Sequence, residues 1–92
     1  MSGAKFSPGR VVATPGALAA IEASGDDPLA FLSRHVQGDW GELSPEDIAE
    51  NELSLREGFR LLSAYKLSNG ERIWVITESD RSSTCMLLPS EY

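Results

Sequence analysis

The sequence predicts an α+β domain in which two to three N-terminal helices pack on a C-terminal, three- to four-stranded antiparallel sheet. Three observations point there. A capping residue followed by proline occurs three times in the first half, at Thr14-Pro15, Asp27-Pro28 and Ser44-Pro45. Asn69-Gly70, the strongest two-residue hairpin signal, lies in the second half. On either side of it the chain is rich in apolar, β-branched and aromatic residues, as strands are.

Residues 1–9 are polar, carry Pro8-Gly9 and read as a flexible arm. Arg10 to Ala13 reads as a short strand. At each helix start the cap side chain accepts an amide that would otherwise be orphaned, and the proline has no amide to leave unsatisfied. The first helix runs from Pro15 to Ser24, with Leu18 and Ile21 as its stripe, and stops at Gly25. The second runs from Pro28 to Val36, with Leu29, Leu32 and Val36 on one face and Phe31 beside it. The third runs from Pro45 to Gly58. Its apolar residues are Ile48, Leu53 and Leu55, and Glu46, Asp47, Glu50 and Glu52 make the rest acidic. The helical part therefore spans residues 14–58, and a β-meander spans 60–88.

The expected strands are Arg60 to Leu67, Glu71 to Glu78 and Ser83 to Leu88, with the N-terminal segment available as a fourth. A two-residue turn at Asn69-Gly70 pairs Tyr65 with Trp74 and Ala64 with Val75. One face then carries Leu62, Ala64, Ile73 and Val75; the other carries Leu61, Tyr65, Trp74 and Ile76. Both are apolar, so the face without helices needs a cover: further helices, a second copy or a partner.

At 92 residues the chain is long enough for one domain, which spans residues 1–92 in this reading. No apolar run approaches the roughly 20 residues of a membrane-spanning helix. The first residues lack the apolar stretch of a signal peptide, so a cytoplasmic location is expected. One cysteine, Cys85, and one histidine, His35, are too few for a four-ligand nitrogen/sulfur zinc site. Fourteen acidic against eight basic residues give a net charge of −6, and the basic residues are scattered. Direct nucleic-acid binding, which relies on Lys and Arg meeting phosphates, is not expected.

No catalytic, cofactor or metal residue stands out. His35, near a helix C-terminus, reads as hydrogen-bonded to a local carbonyl. Gly-x-Ser-x-Gly is absent, and Cys85 sits within a strand with no helix terminus to lower its pKa. Glu46 and Glu50 stand at i and i+4 but lack the further oxygen ligands that a divalent ion recruits. The carboxylates read as a solvated helix face, or as a surface that meets basic residues of a partner. Trp40, in Gly38-Asp39-Trp40-Gly41, reads as a core anchor, with an exposed binding residue as the rival reading. The candidate partner-binding set is Asp39, Trp40, Glu42, Glu46, Asp47, Glu50, Tyr65 and Trp74.

The stretch His35-Val36-Gln37-Gly38-Asp39-Trp40-Gly41-Glu42-Leu43, then Glu50-Asn51-Glu52 and Arg60-Leu61-Leu62-Ser63-Ala64-Tyr65, resembles a family of small bacterial proteins carried on plasmids and other mobile elements. The resemblance continues in Ile73-Trp74-Val75-Ile76-Thr77-Glu78-Ser79-Asp80-Arg81 and Leu87-Leu88-Pro89-Ser90-Glu91-Tyr92. Members are labelled plasmid-related or, loosely, restriction-related. The family brings no catalytic residues, and a methyltransferase or nuclease subunit needs motifs this chain lacks. Small size, acidity and the resemblance lead to one expectation: a non-enzymatic interaction module, most concretely an anti-CRISPR or anti-restriction inhibitor. Its partner would be a host defence nuclease or interference complex. The rival is a homodimeric accessory or regulatory protein of plasmid maintenance, using the spare sheet face.

Overall fold

The computed structural model describes residues 4–92. In chain order come β1 (Arg10–Ala13), α1 (Pro15–Ser24), α2 (Pro28–Val36), α3 (Pro45–Glu57), β2 (Leu61–Lys66), β3 (Arg72–Thr77) and β4 (Ser83–Leu87). A 3₁₀ turn, Pro89–Glu91, follows. The arrangement is α+β, as the sequence predicts. All three caps form: Thr14 accepts from the Ala17 amide, Asp27 from Leu29 and Ser44 from Asp47. Gly25 and Gly58 end α1 and α3 in the left-handed conformation.

The sheet order is β1-β4-β3-β2. β2, β3 and β4 form the expected antiparallel meander. β1 joins as the fourth strand but runs parallel to β4, so the sheet is mixed. The reason is topological: α1 and the chain after it carry the polypeptide from one edge strand to the other, so β1 is not bound to hairpin geometry.

The β2–β3 register departs from expectation by one residue. Tyr65 pairs with Ile73 and Ala64 with Trp74. Three residues, Ser68 to Gly70, form the loop: the Leu67 amide donates to Glu71 O, the Gly70 amide donates to Leu67 O, and Gly70 has φ +94°. Asp26 fixes this turn from outside, accepting from the Ser68 amide at 2.8 Å and the Ser68 hydroxyl at 2.7 Å. These bonds hold the Asp26 carboxyl below its usual pKa, the Ser68 amide being the largest cause. A one-residue slip turns every β2 side chain to the opposite face relative to β3. Leu61, Ser63 and Tyr65 thus share a face with Ile73, Val75 and Thr77.

That face is the helix-covered one. Ala17, Ala20 and Ile21 of α1 and Phe31 of α2 pack with Tyr65, Ile73, Val75 and Met86 in the core. Two stripe residues expected inside face out: Leu18 is half exposed and Leu29 is 67% exposed. The buried stripe of α2 is Phe31 and His35.

The outer edge of β2 is sealed by the chain itself. The Asn51 side chain donates to Leu62 O at 2.6 Å and accepts from the Leu62 amide at 3.1 Å, imitating a strand's peptide group. Two residues on, the Ala64 amide donates to Trp40 O and Ala64 O accepts from the Glu42 amide. Gly41 sits between them at φ +77°, where a Cβ would overlap the Ala64 carbonyl oxygen. α3 lies along this edge because Asn51 anchors it there.

The lead-in, expected as a flexible arm, is held from Lys5 onward; residues 1–3 of that arm lie outside the described residues. The Lys5 amide donates to Val36 O, and the Phe6 ring stacks on Trp40 at 6.4 Å. Polarity misleads here because one aromatic residue suffices to dock the segment.

Replacing Asn51 by Ala removes both partners of the Leu62 peptide group at a buried site. The expected loss is about 2–3 kcal/mol of unfolding free energy, read from urea denaturation. A loss below about 0.5 kcal/mol, the range of surface substitutions, would show that water replaces the amide freely.

Candidate functional site

Two regions carry the chemistry: a buried polar chain centred on His35, and the surfaces around α3 and the uncovered sheet face. His35 is fully buried. Its Nδ1 lies 2.6 Å from Ser63 Oγ and its Nε2 lies 2.8 Å from Thr77 Oγ1. Thr77 Oγ1 lies 2.6 Å from Thr84 Oγ1, which donates to Pro8 O at 2.7 Å. The expected local carbonyl is therefore not the partner; two hydroxyls on the covered sheet face are, those of Ser63 and Thr77, with Thr84 continuing the chain. The one-residue register slip brings Ser63 level with Val75 and next to Thr77, which lets the ring span both hydroxyls.

The proton positions follow from donor counting. Thr84 has one hydroxyl proton, used on Pro8 O, so Thr77 must donate to Thr84. Thr77 then accepts from His35, which puts the imidazole proton on Nε2 and leaves Nδ1 to accept from Ser63. Every proton in the chain points the same way. Burial and the Arg81 charge lower the His35 pKa from 6.5 to about 4, burial being the larger cause, so the ring is neutral at pH 7. Phe6 and Trp40 close over it edge-on at 5.2 and 5.8 Å.

Ser63 and His35 have the spacing of a nucleophile and its base. Both are fully buried, however, and the third group is a hydroxyl rather than a carboxylate. Two clefts on the surface lie elsewhere. One, about 440 Å³, is bounded by Gly70, Arg72 and Pro89; the other, about 400 Å³, by Leu18, Asp26 and Pro28. A substrate atom has no route to the pair in this conformation, so the arrangement suits a structural clamp. Among the described residues no group of three or more His, Cys, Asp or Glu is placed to hold a metal ion.

The candidate partner-binding residues separate into four places. Trp40 is only 3% exposed and donates from Nε1 to Glu52 at 2.9 Å; it is an anchor, not an exposed binding residue. Tyr65 is likewise buried, because the register slip turns it onto the helix-covered face. Its hydroxyl donates to Asp39 O at 2.6 Å, the Arg34 guanidinium lies 4.5 Å over its ring, and burial pushes its pKa up to about 12. Asp39 and Glu42 are exposed but paired, with Arg34 at 2.7 Å and Arg72 at 2.9 Å. The hydrogen bond from Arg34 is the main cause that lowers the Asp39 pKa.

Glu46, Asp47 and Glu50 stand together on the exposed side of α3. Among the described residues no cation lies within salt-bridge distance of them; the three ion pairs are Arg34–Asp39, Arg60–Glu78 and Arg72–Glu42. Trp74 is half-buried on the opposite, helix-free sheet face, beside Ala64 and Leu87. There Tyr92 meets it edge-on at 5.5 Å and accepts from Arg60 at 3.0 Å. The second tryptophan is thus partly covered by the C-terminal residue, and its neighbours Ala64, Ile76 and Leu87 on the same face are buried.

Three residues that organise these surfaces carried no sequence signal: Asp26, Asn51 and Arg81. Arg81 adopts φ +62° and donates to Phe59 O at 2.6 Å, Ser54 O at 3.0 Å and Glu78 O at 3.1 Å. It ties the end of α3 to the β3–β4 turn. Comparison with known proteins finds no matching family model, curated protein or solved structure. None of the described helices is long and apolar enough to cross a membrane.

Because the folded-state pKa of His35 lies below the unfolded 6.5, the unfolded chain binds the extra proton first on acidification. The clamp's contribution is complete above pH 6.5 and is lost as pH falls toward 4, by about 3 kcal/mol in all. The imidazole is the only one in the chain, so its NMR signals report it alone. They are expected to stay neutral-like at pH 5, with stability already falling; titration near pH 6.5 in the folded protein would contradict the buried clamp.

Proposed function

We propose that this protein is a non-enzymatic interaction module that presents the carboxylates of α3 to a basic surface on a protein partner. The observation that carries the reading is the exposed trio Glu46, Asp47 and Glu50, which among the described residues has no cation within salt-bridge distance. Glu46 and Glu50 repel at i, i+4 spacing by about 0.2–0.5 kcal/mol. That cost is relieved when a partner supplies Lys or Arg. The −6 net charge adds long-range attraction to a basic target and speeds encounter at low salt.

The most concrete setting is inhibition of a bacterial defence complex, in CRISPR interference or restriction, by a protein carried on a mobile element. Such complexes hold nucleic acid in basic channels, and a compact acidic domain can occupy one. The setting rests on the sequence resemblance and the charge. Inertness at His35 supports the non-enzymatic part, since the only imidazole is committed at both nitrogens. A second reading, a homodimeric accessory protein of plasmid maintenance, is favoured by the edge position of β1, whose Val11 and Val12 are exposed.

Affinity capture from bacterial lysate at low salt tests the first reading. Wild-type protein is expected to retain a basic nuclease or interference complex and to lose it at high salt. A variant with Glu46, Asp47 and Glu50 all changed to Lys is expected to fold and capture none of it. Equal capture by that variant, or no defence component captured by the wild type, would overturn the reading.

A further inference from the structure

The two edges of the sheet are treated differently. Asn51, Trp40 and Glu42 occupy backbone groups of β2, while among the described residues none hydrogen-bonds the outer side of β1 at the other edge. The amides of Arg10 and Thr14 donate inward, to Ser82 O at 3.0 Å and Met86 O at 2.9 Å. In a parallel ladder alternate residues face the same neighbour, so the amides and carbonyls of Val11 and Ala13 point outward. Among the described residues they have no hydrogen-bond partner. Val11 and Val12 project to opposite faces of this edge and are 42% and 43% exposed. Open backbone groups flanked by apolar side chains on both faces are a template for strand addition.

We propose that the β1 edge pairs antiparallel with the β1 edge of a second copy of this chain, making a continuous sheet across a twofold axis. Only residues that point outward can exchange hydrogen bonds, so Val11 faces Ala13 of the second copy and Ala13 faces its Val11. Val12 then lies on the axis opposite its own counterpart, in a non-hydrogen-bonded pair with Cα atoms about 4.5 Å apart. Alternation also permits Val11 or Ala13 to face its own counterpart; the register centred on Val12 is the one with a charge consequence. Arg10 comes opposite Thr14 of the second copy. The Thr14 hydroxyl donates to the Glu91 carboxylate, which also accepts from the Leu88 amide at 2.8 Å. Neither Arg10 nor Glu91 has an ion-pair partner within the described chain. The pairing therefore brings two unpaired arginines toward two unpaired carboxylates, once on each side of the axis.

The alternative self-contact, through the helix-free sheet face, lacks this complementarity. Arg10, Lys66 and Arg72 project from that face by strand alternation, Arg60 reaches Tyr92 there, and an isologous contact would bring like charges together. The edge is the surface on which a second copy fits. The inference is independent of the role assigned to α3, because self-association and partner capture are read in separate assays.

Sedimentation equilibrium of the purified protein over a wide concentration range tests it. Twice the 10.0 kDa chain mass is expected at the upper end, falling toward one chain on dilution. Val12→Lys places two like charges on the axis and is expected to give the single-chain mass throughout. Val11→Pro removes an outward amide that the monomer does not use, a place where an edge strand tolerates proline, and is expected to do the same with an unchanged circular dichroism spectrum. Arg10→Glu is expected to weaken the dimer, and Arg10→Glu combined with Glu91→Arg to restore it. A single-chain mass for the wild type at every concentration would overturn the proposal. So would a dimer that survives both Val12→Lys and Val11→Pro, since it would use another surface.

Discussion

The hydrogen-bonded chain Ser63–His35–Thr77–Thr84–Pro8 O links five parts of the fold that are far apart in sequence: β2, α2, β3, β4 and the lead-in to β1. Each link crosses an interface that hydrophobic packing alone would leave free to slide. Apolar contacts are non-directional, whereas a buried polar group left unpaired costs a fixed penalty. Shifting α2 by a turn, or β2 by one residue against β3, would strand at least one of these groups. No buried side-chain nitrogen or oxygen among the described residues is left without a partner. The polar chain thus specifies how the helices sit on the sheet, and the apolar cluster of Ile21, Phe31, Tyr65, Ile73 and Val75 supplies the bulk of the burial.

Once the interior is committed in this way, binding is left to the surface, and the surface is uneven. Carboxylates collect on α3, outside the sealed β2 edge. Four basic residues project from the helix-free sheet face, two of them balanced by Glu42 and Glu78. The sealed edge denies strand pairing next to the acidic helix, so a partner there meets side chains rather than backbone. The open edge at β1 offers the reverse: backbone groups and two valines. The two proposed contacts would therefore use unlike physics, charge on one side and strand pairing on the other.

Much of the fold was legible because its signals are local. Thr14, Asp27 and Ser44 each cap the residues that follow them, and no distant contact is needed to see it. The left-handed glycines that end α1 and α3 are equally local. The hairpin shows where local reading fails. Asn69-Gly70 correctly marks the turn, but the third loop residue depends on Asp26 clamping Ser68 across 42 positions of sequence. That single residue decides which face Tyr65 occupies, and so removes it from the binding surface. Trp40 and Phe6 illustrate the same limit, since whether an aromatic residue in a loop is an anchor or an exposed contact depends on what folds back over it. Asn51, inside an acidic helix, looks like any solvated amide until Leu62 is seen against it. Of the candidate binding set, only Glu46, Asp47 and Glu50 lie together as free charges, because their exposure follows from helix periodicity alone.

The division between a committed interior and a working surface is tested most directly at the imidazole itself. Nitrogen-15 chemical shifts of His35 at neutral pH distinguish the two neutral tautomers and the charged ring. The account predicts a neutral ring with the proton on Nε2 and a bare Nδ1 accepting from Ser63, in the whole population. A proton on Nδ1, a charged ring, or exchange between forms would contradict it, and would return Ser63 and His35 to consideration as a reactive pair.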